Sequence, residues 1–301
     1  MSFLTPDLLG ALLAITSAIF SALQGLSIRR GTETGSVGEV LFVVLVMNTL
    51  IYVPFSILFY HPNYGVNLYS GIAFVGAGVI GSLLVRIFLY SGIERVGASR
   101  TYSIYTSSPL FATAIAVVFL GEHLTLPHLL GILLILAGVF VVAREMNVSN
   151  SKFSPGGRFS LNLLYPLAAA FFLAMNLPIS KFGLMQGTPV MVGVAIKVAT
   201  GLVILTAYLG IRNKPLLSAF SSPNRKWYIL AGVANTISLA LLFTALAVSR
   251  VVVVSPLDNT SPLFTLGLSY LFLSRLEVIT PKLLLGATLV VGGAVAIVLL
   301  M

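Results

Sequence analysis

Three features of the sequence, its composition, its apolar stretches and an internal repeat, predict an all-α polytopic membrane protein. We expect ten transmembrane helices arranged as two inverted five-helix repeats. The 301 residues are 58% hydrophobic and only 8% charged, and their mean hydropathy is +1.05. Soluble domains carry about 25% charged residues. Because so apolar a chain cannot cover a surface that faces water, the composition excludes an ordinary soluble enzyme and a nucleic-acid-binding protein.

The membrane spans are predicted from the lengths of the apolar stretches. A bilayer core about 30 Å thick needs roughly 20 apolar residues per helix, and continuous apolar runs favour helices over a β-barrel. The N-terminus lacks the basic segment of a cleavable signal, so we expect its apolar run to remain as the first span. The ten predicted spans are 7–28, 37–60, 70–92, 97–119, 125–143, 161–184, 189–211, 227–247, 251–273 and 281–301.

The longest polar stretch divides these spans into two groups of five. It runs from Arg144 to Ser160 and is rich in Ser, Asn, Pro and Gly, a composition typical of a linker. We therefore predict a first five-helix repeat at residues 1–146, a linker at 147–160 and a second five-helix repeat at 161–301.

The two halves also resemble each other in sequence. Ser108-Pro109-Leu110-Phe111 recurs 153 residues later as Ser261-Pro262-Leu263-Phe264. Further matches at offsets of 155 or 152 residues are Glu122 with Glu277, Thr125 with Thr280, Gly131 with Gly286, Gly138 with Gly293, Gln24 with Asn176, Arg29 with Lys181 and Gly31 with Gly183. A nearly constant offset across spans one, four and five indicates an internal repeat.

The number of spans in each half predicts how the halves are oriented. Five is odd, so the second half enters the membrane from the opposite side and the repeat is inverted. Inverted repeats are typical of secondary transporters, whose binding sites lie near the bilayer midplane between the halves. This is the strongest functional indication in the sequence.

Several of these motifs resemble those of the drug/metabolite transporter superfamily, and more narrowly of its EamA-type permeases. The resemblance rests on the two five-span halves, on residues 176–183 of span six, and on the Ser-Pro-Leu-Phe motif followed by Gly121-Glu122 and a Gly-rich fifth span. It covers nearly the whole chain and implies a ten-span permease in the cell membrane. It identifies no substrate.

The distribution of basic residues predicts an orientation in the membrane. Loops after spans one, three, five, seven and nine hold 13 of the 17 Lys and Arg residues, and the side richer in Lys and Arg is usually cytoplasmic. Both termini would then lie outside the cell, whereas the family resemblance implies cytosolic termini. We favour the charge distribution, and we call the two sides of the membrane the basic end and the termini end.

Three charged residues inside the spans are candidates for a binding site. Arg86, Lys197 and Asp258 would each cost several kcal/mol in lipid unless paired or hydrated. We expect them to line a hydrated cavity whose mildly positive charge suits a carboxylate or phosphate on a solute. Arg86 shares one helix face with Tyr90 at a spacing of four residues. The alternative is an Arg86 that extends to the interface and a Lys197–Asp258 pair that only locks two helices.

Span nine carries polar residues between two prolines, around Asp258 and Asn259. Each proline removes a backbone hydrogen bond, so we expect a kinked or locally unwound helix. The kink either forms part of the binding site or only shapes how the helices pack. The equivalent region of span four contains Tyr102 and Tyr105. These tyrosines could stack on or hydrogen-bond a solute, or could equally be interfacial or core aromatics.

Amide side chains extend the candidate site. Gln24 and Asn176 lie at mirrored depths in spans one and six, and Asn235 is a weaker candidate in span eight. Such amides either bind a solute or bridge neighbouring helices.

The absence of certain motifs excludes further classes of protein. The sequence has no phosphate-binding Gly-x-x-x-x-Gly-Lys-Ser/Thr loop and no Cys, so we expect neither an ATPase nor a thiolate metal site. We expect no cofactor, and the predicted partners are a small-molecule solute and the lipid bilayer, with no nucleic acid. The sequence therefore favours a secondary transporter for a small organic metabolite, such as an amino acid or a related anionic or zwitterionic solute. The alternatives are a non-transporting membrane scaffold and an intramembrane enzyme.

Overall fold

A computed structural model of the protein describes residues 5–32, 34–96, 101, 104–147, 161–211, 220, 222–272 and 281–299. Within these ranges the chain forms helices and turns and contains no strand. The helices are α1 Pro6–Gly31, α2 Val37–Tyr60, α3 Leu68–Val79, α4 Val85–Val96, α5 Ser108–Leu120, α6 Leu126–Asn147, α7 Leu164–Met185, α8 Val190–Ile211, α9 Arg225–Val248, α10 Val251–Asp258, α11 Ser261–Phe272 and α12 Pro281–Leu299. The predicted linker lies almost wholly outside the described residues.

The helices confirm an all-α fold with several membrane spans. Six described helical segments are long and apolar enough to cross a bilayer: Pro6–Gly31, Gly38–Tyr60, Leu68–Leu89, Leu161–Met185, Val190–Ile211 and Arg225–Val248. Shorter apolar helices occupy Ser108–Leu120, Leu126–Val141 and Leu285–Ile297. The outer surface carries large apolar side chains such as Leu58, Val118 and Phe119, each more than 70% exposed. Such a surface is suited to lipid rather than water.

Local sequence explains where several helices begin. Pro6 occupies the first turn of α1, and the Thr5 hydroxyl accepts a hydrogen bond from the Leu8 amide at 3.2 Å. Ser36 caps α2 in the same way. At α3, Asn67 and Ser70 form a reciprocal capping box. Each cap satisfies an amide that the first helical turn leaves without a partner.

Helices α1 and α9 form the central antiparallel pair. Gly10 near the start of α1 lies against Ser249 at the end of α9, and Gly31 lies against Tyr228. Midway along the pair, the Ser17 hydroxyl lies 3.0 Å from the Ser238 hydroxyl. The pair therefore places residues of the first predicted repeat directly against residues of the second.

The remaining contacts between the halves fix the relative directions of α2, α3, α7 and α8. Helix α2 runs parallel to α9, since Glu39 contacts Tyr228 and Tyr52 contacts Thr236. Helix α8 runs antiparallel to α2, with Gly38 near Leu209. The contacts of Gly78 with Lys197 and Thr200 fit a helix α3 that is parallel to α8. Helix α3 is antiparallel to α7, because Gly81 contacts Asn176 and Phe74 contacts Gly183. Helices α1 and α7 therefore run in opposite directions.

A second antiparallel pair, α6 and α12, is packed through glycines. A Cβ at Gly138 would lie 2.5 Å from the carbonyl oxygen of Gly286, and a Cβ at Gly293 would lie 2.5 Å from that of Gly131. The two backbones approach so closely because neither carries a side chain at these points. Glycines from both halves of the sequence repeat thus meet in one crossing.

Substitution of Gly138 by Ala should destabilise the protein. The added methyl group would meet backbone rather than a movable side chain, so the two helices must separate, at a cost of about 1–3 kcal/mol. Gly292→Ala on α12 is the matched control, because a Cβ there has nothing within 4 Å. Thermal unfolding in detergent should show a lower midpoint for Gly138→Ala and an unchanged or higher one for Gly292→Ala. Equal midpoints would contradict this packing.

The predicted span 251–273 is two helices rather than one. Helix α10 ends at Asp258, a turn occupies residues 259 and 260, and α11 begins at Ser261. The Thr260 hydroxyl donates to the Leu257 carbonyl at 2.7 Å, and the Asn259 amide group donates to the Ser255 carbonyl at 2.9 Å. The expected interruption between the prolines is therefore present, and each of these side-chain bonds reinforces a backbone hydrogen bond to the same carbonyl.

The described part of span four contains the same interruption 153 residues earlier. A turn occupies residues 106 and 107 before α5 begins at Ser108. The Ser107 hydroxyl donates to the Ile104 carbonyl at 2.6 Å, which is the bond that Thr260 makes to Leu257 in the other half. The sequence repeat is thus accompanied by a repeated local structure.

Helices α3 and α4 are joined without a loop by a π-helical turn, Ile80–Leu84. The predicted span 70–92 is therefore one continuous helical segment with a wider turn in its middle. Such turns are rare and are frequent at functional sites. This one lies against Asn176 of α7, because a Cβ at Gly81 would come within 2.8 Å of its side-chain nitrogen.

Candidate functional site

Polar side chains from six helices meet in the middle of the apolar bundle. We call this group the central polar cluster. Its members are Ser17, Ser21 and Gln24 on α1, Asn48 on α2, Asn176 on α7, Lys197 on α8, Asn235, Thr236 and Ser238 on α9, and Asp258 at the end of α10. Hydrogen bonds divide it into three parts: a lysine part, an aspartate part and an amide part.

The lysine part is built around Lys197. Its ammonium group donates to the Asn176 side-chain oxygen at 2.5 Å and lies 4.6 Å from the centre of the Phe243 ring. Asn176 in turn donates to the Ala77 carbonyl at 2.9 Å, three residues before the π-helical turn begins at Ile80. The direct partners of the cation are thus a neutral amide and an aromatic face, and neither carries an opposing formal charge.

The aspartate part is built around Asp258, which ends α10 at the helix interruption. Its Oδ1 accepts a hydrogen bond from the Ser17 hydroxyl at 2.9 Å. Asp258 and Lys197 interact electrostatically, but Lys197 binds Asn176 instead of forming an ion pair with the carboxylate. The two opposite charges are thus held apart by neutral partners, and the alternative of a locking Lys197–Asp258 salt bridge is wrong for this conformation.

The amide part links α1, α2 and α9. The Asn235 side chain donates to Gln24 at 2.9 Å, Asn48 donates to Asn235 at 2.6 Å, and the Thr236 hydroxyl donates to Asn48 at 2.7 Å. The Tyr52 hydroxyl donates to the Thr236 carbonyl. This network lies closer to the basic end than Asp258 does.

The cluster has a buried layer and a partly accessible layer. Ser17, Asn48 and Ser238 are at most 3% exposed, so they belong to the packed interior. Lys197, Asp258, Gln24 and Asn235 are half-buried, although they lie in the middle of their helices or of the bundle. These four side chains are therefore not completely enclosed by their neighbours.

The predicted site residues are only partly brought together. Gln24, Asn176, Lys197, Asn235 and Asp258 belong to the central polar cluster. Arg86 is half-buried near the start of α4, and Tyr105 is half-buried before α5; each makes interactions of its own. Asn259 uses its amide group to close the helix interruption. Tyr90 lies on α4, but its side chain is outside the described part of the structure, and Tyr102 lies outside the described residues altogether.

Sequence reasoning missed the serines of the cluster and the Phe243 ring. Ser17, Ser21 and Gln24 are spaced by four and three residues, so they share one helix face. That spacing could have identified the serines from the sequence. No comparable signal marks Phe243, because one more aromatic residue in an apolar helix looks like ordinary core.

Polar contacts close the bundle at the termini end. We call the group Asp7, Glu122, Lys181, Ser249 and Arg250 the polar latch. Arg250 forms an ion pair with Asp7 at 2.6 Å, and the Ser249 hydroxyl donates to the other oxygen of Asp7 at 2.6 Å. These contacts tie the start of α1 to the connection between α9 and α10.

The rest of the polar latch ties α5 and α7 to the same connection. The Glu122 carboxylate accepts hydrogen bonds from the amides of Val251 and Val252 at 2.8 and 2.9 Å, at the N-terminus of α10. The Lys181 ammonium donates to the carbonyls of Leu246 and Ser249 at 2.5 and 2.9 Å, at the C-terminus of α9. Each charge lies at the helix end that favours it. The polar latch therefore joins both halves of the chain at one face.

Two apolar clefts are lined by described residues. One has a volume of about 640 Å³ and is lined by residues of α3, α5 and α7, including Ile72, Phe119 and Phe182. The other, of about 320 Å³, lies between α2 and α8. Neither contains a residue of the central polar cluster. Among the described residues no three His, Asp or Glu side chains converge as a metal site.

Comparison with known proteins gives a consistent set of similarities. The sequence model of the EamA-like transporter family matches residues 8–144 and, a second time, residues 160–299. An uncharacterised transporter of Archaeoglobus fulgidus is 23% identical over 270 residues, which cover 89% of this chain and 91% of that protein. An uncharacterised protein of Methanocaldococcus jannaschii is 38% identical over 65 residues, 22% of this chain and 44% of that protein.

The fold is also similar to a solved one. A protein crystal structure superposes with a TM-score of 0.75 at 18% sequence identity, and the alignment covers 97% of this chain and 96% of the solved one. At this identity the likeness concerns the fold alone. It extends over nearly all of both chains, so the helices described above belong to a known arrangement.

Proposed function

The chain belongs to the EamA-like transporter family, and from this premise we propose that it is a secondary transporter that moves a small organic solute by alternating access. It is a multi-pass integral membrane protein. Family membership and a relative named as a transporter favour transport over enzymatic activity.

The first part of the proposal is that residues 1–146 and 161–301 are inverted repeats. The family model matches the chain twice, at 8–144 and 160–299. Helix α1 runs opposite to α7, which is its counterpart if the second repeat begins at residue 161. The interruptions before Ser108 and Ser261 repeat with the same side-chain hydrogen bond. These observations support two similar halves of opposite direction, an arrangement in which two conformations can exchange.

The second part is that the solute binds in the central polar cluster. The observation that carries it is the separation of Lys197 from Asp258: two opposite charges near mid-bundle, each half-buried, each held by a neutral partner. Uncompensated charges at such a depth are costly and are functional by default. The Lys197 ammonium has further donor capacity beyond its one hydrogen bond to Asn176.

The charges also suggest the class of solute. Lys197 suits a carboxylate or phosphate group, and Asp258 suits a cationic amine, so a small anionic or zwitterionic metabolite such as an amino acid fits both. Gln24 and Asn235, which are hydrogen-bonded to each other, supply amide groups elsewhere in the same cluster. Arg86, Tyr90, Tyr102, Tyr105 and Asn259 remain proposed contributors to the same site.

The proposal assigns the polar latch the role of closing the bundle at the termini end. The polar latch joins the two halves there. In the alternating-access cycle these contacts must break before the site opens to that side, and the proposal therefore makes the polar latch a gate.

A two-step experiment tests the proposed function. The purified full-length protein is first screened for metabolites that raise its thermal unfolding midpoint, because a ligand that binds only the folded state stabilises it. The candidates are then tested for flux into liposomes that contain the protein. We expect at least one small carboxylate- or phosphate-bearing solute to bind and to enter. Binding of none across amino acids, carboxylates and phosphates, together with no flux, would contradict the proposal.

A further inference from the structure

Three serine hydroxyl groups form a continuous chain that ends at Asp258. The Ser21 hydroxyl lies 2.8 Å from the Ser238 hydroxyl, which lies 3.0 Å from the Ser17 hydroxyl, which donates to Asp258 Oδ1 at 2.9 Å. Ser17 and Ser238 are at most 3% exposed, whereas Ser21 and Asp258 are half-buried. The chain therefore crosses the packed α1–α9 interface and has a partly accessible group at each end.

The carboxylate sets the direction of every hydrogen in this chain. An ionised carboxylate only accepts hydrogen bonds. The Ser17 hydroxyl could also donate to the Ser238 carbonyl, which lies 3.1 Å away. Because a charged acceptor is stronger than a neutral one, the Ser17 proton points to Asp258. Ser17 can then accept from Ser238, and Ser238 can accept from Ser21. All four groups are satisfied by one orientation. Such an ordered row of hydroxyls can pass a proton from one end to the other.

Within the described part of the chain, one charged group acts on Asp258. Lys197 is the charged group that acts on it electrostatically. Helix α10 packs against α1, α5, α6, α7, α9 and α12, and α5 has no ionisable residue. The ionisable residues of the other five helices lie in or near their first or last turns: Asp7, Arg29, Arg30, His128, Arg144, Glu145, Tyr165, Lys181, Arg225, Lys226, Tyr228 and Lys282.

We propose that Asp258 is a proton-binding site that couples transport to a proton gradient, and that Ser21, Ser238 and Ser17 relay the proton to it. Atoms and charge are conserved in this proton transfer. A hydronium ion beside Ser21 gives up one proton, each hydroxyl accepts one proton and passes its own on, and a new O–H bond forms on Asp258 Oδ1. The net change is one neutral carboxylic acid and one water molecule, with the three hydroxyls reversed in direction.

Protonation has a structural consequence at the helix interruption. After the reversal the carboxylic acid donates to the Ser17 oxygen, so the charge-assisted bond between α1 and the end of α10 becomes a weaker neutral one. That bond joins the first half of the chain to the interrupted helix of the second half. This inference rests on the proposed function, and it adds the coupling ion and the route by which that ion arrives.

Sodium is the competing coupling ion. A sodium site would need several oxygens spaced around a central ion, whereas the oxygens here lie at hydrogen-bond distance from one another. The row of hydroxyls thus favours a proton. Replacing sodium by choline in the buffer distinguishes the two ions.

Infrared difference spectroscopy between acidic and alkaline buffer tests the proton site on the full chain in lipid nanodiscs, without a solute. We expect a carbonyl band of a protonated carboxylic acid that is missing from Asp258→Asn and retained in Glu39→Gln, an acidic residue of α2 outside the cluster. If Asp258→Asn does not fold, Ser17→Ala serves instead: it should shift the frequency of this band, because the hydroxyl that contacts Asp258 is gone.

The relay is tested by the rate at which the band appears after a rapid drop in pH. Ser21→Ala should slow it about 3- to 10-fold, the effect of losing about one hydrogen bond, whereas Ser21→Thr keeps the hydroxyl and should keep the rate. The same band in wild type and Asp258→Asn, equal rates for both Ser21 variants, or a titration midpoint that moves with sodium would each overturn the proposal. Loss of the proton site with solute flux intact would leave the proposed transport function standing.

Discussion

Replacing Lys197 by Gln should weaken solute binding more than any other single change in the central polar cluster. Lys197 supplies the positive charge of the site and keeps it available by binding only a neutral amide. A hydrogen bond to a charged group is worth about 1.5–3 kcal/mol, so the dissociation constant should rise about 10- to 100-fold. The measurement is the thermal-shift titration with the solute found in the screen, followed by liposome flux.

The matched control is Lys226→Gln, which removes an exposed lysine from the first turn of α9. It should leave binding and flux at the wild-type level, which separates the loss of one local charge from a change in overall charge. If Lys197→Gln binds the same solute as tightly as wild type, Lys197 is not a solute ligand and the assigned site is wrong.

The sequence predicts the helices well because their signal is local. Composition and run length identify the membrane segments, and the interruption at Asn259 and Thr260 follows from the two prolines and the polar residues between them. The π-helical turn at Ile80–Leu84 was not predicted. It depends on how α3 meets Asn176 of another helix, and a pattern within one segment does not contain such a contact.

The sequence predicts which residues belong to the site, but not which of their side chains bind each other. Lys197, Asp258, Gln24, Asn176 and Asn235 stand out as polar groups in apolar helices, and all belong to one cluster. Their partners are set by the packing of helices far apart in sequence. For this reason the sequence left a Lys197–Asp258 pair open as an alternative, whereas in the structure Lys197 binds Asn176 and Asp258 binds Ser17. The polar latch was missed because its members lie far apart in sequence, on α1, on α7 and in the connections after α5 and α9.

Replacing Asp7 by Asn should shift the protein towards the state that is open at the termini end. Asp7 accepts hydrogen bonds from Arg250 and Ser249, and its side chain and that of Arg250 are only 25–30% exposed. Their loss should cost the closed state about 1–2 kcal/mol after screening by water. The population of the open state should therefore rise about 5- to 30-fold.

The sequence predicts that loss of the Asp7–Arg250 ion pair affects only the termini end of the bundle. The positions offset by 153 residues from Asp7 and Arg250 are Ser160 and Gly97, so the internal repeat does not supply an equivalent ion pair for the basic end. The absence of cysteine gives a clean background for labelling. Val252 is fully buried beneath the polar latch, and in the Val252→Cys protein the thiol should react with a water-soluble maleimide faster when Asp7→Asn is added.

Glu39→Gln is the control for this experiment, because it removes a carboxylate at the opposite end of the bundle, where Glu39 contacts Tyr228. It should not accelerate labelling of the thiol at position 252. An unchanged labelling rate in Asp7→Asn would show that the polar latch does not hold this face closed.

Labelling of a cysteine placed in the central polar cluster tests the account as a whole. Gln24→Cys puts a thiol on the half-buried layer of the cluster, and Val203→Cys puts one on the outer surface of α8, where the side chain is 68% exposed. The protein is placed in sealed vesicles and treated with a small, charged, membrane-impermeant thiol reagent. We expect the reagent to label position 24 when it is added from either side. Position 203, which faces lipid, should stay unlabelled. A thiol at position 24 that reacts from neither side would mean that no water-filled, alternately opening chamber exists between the halves, and the transport account would be contradicted.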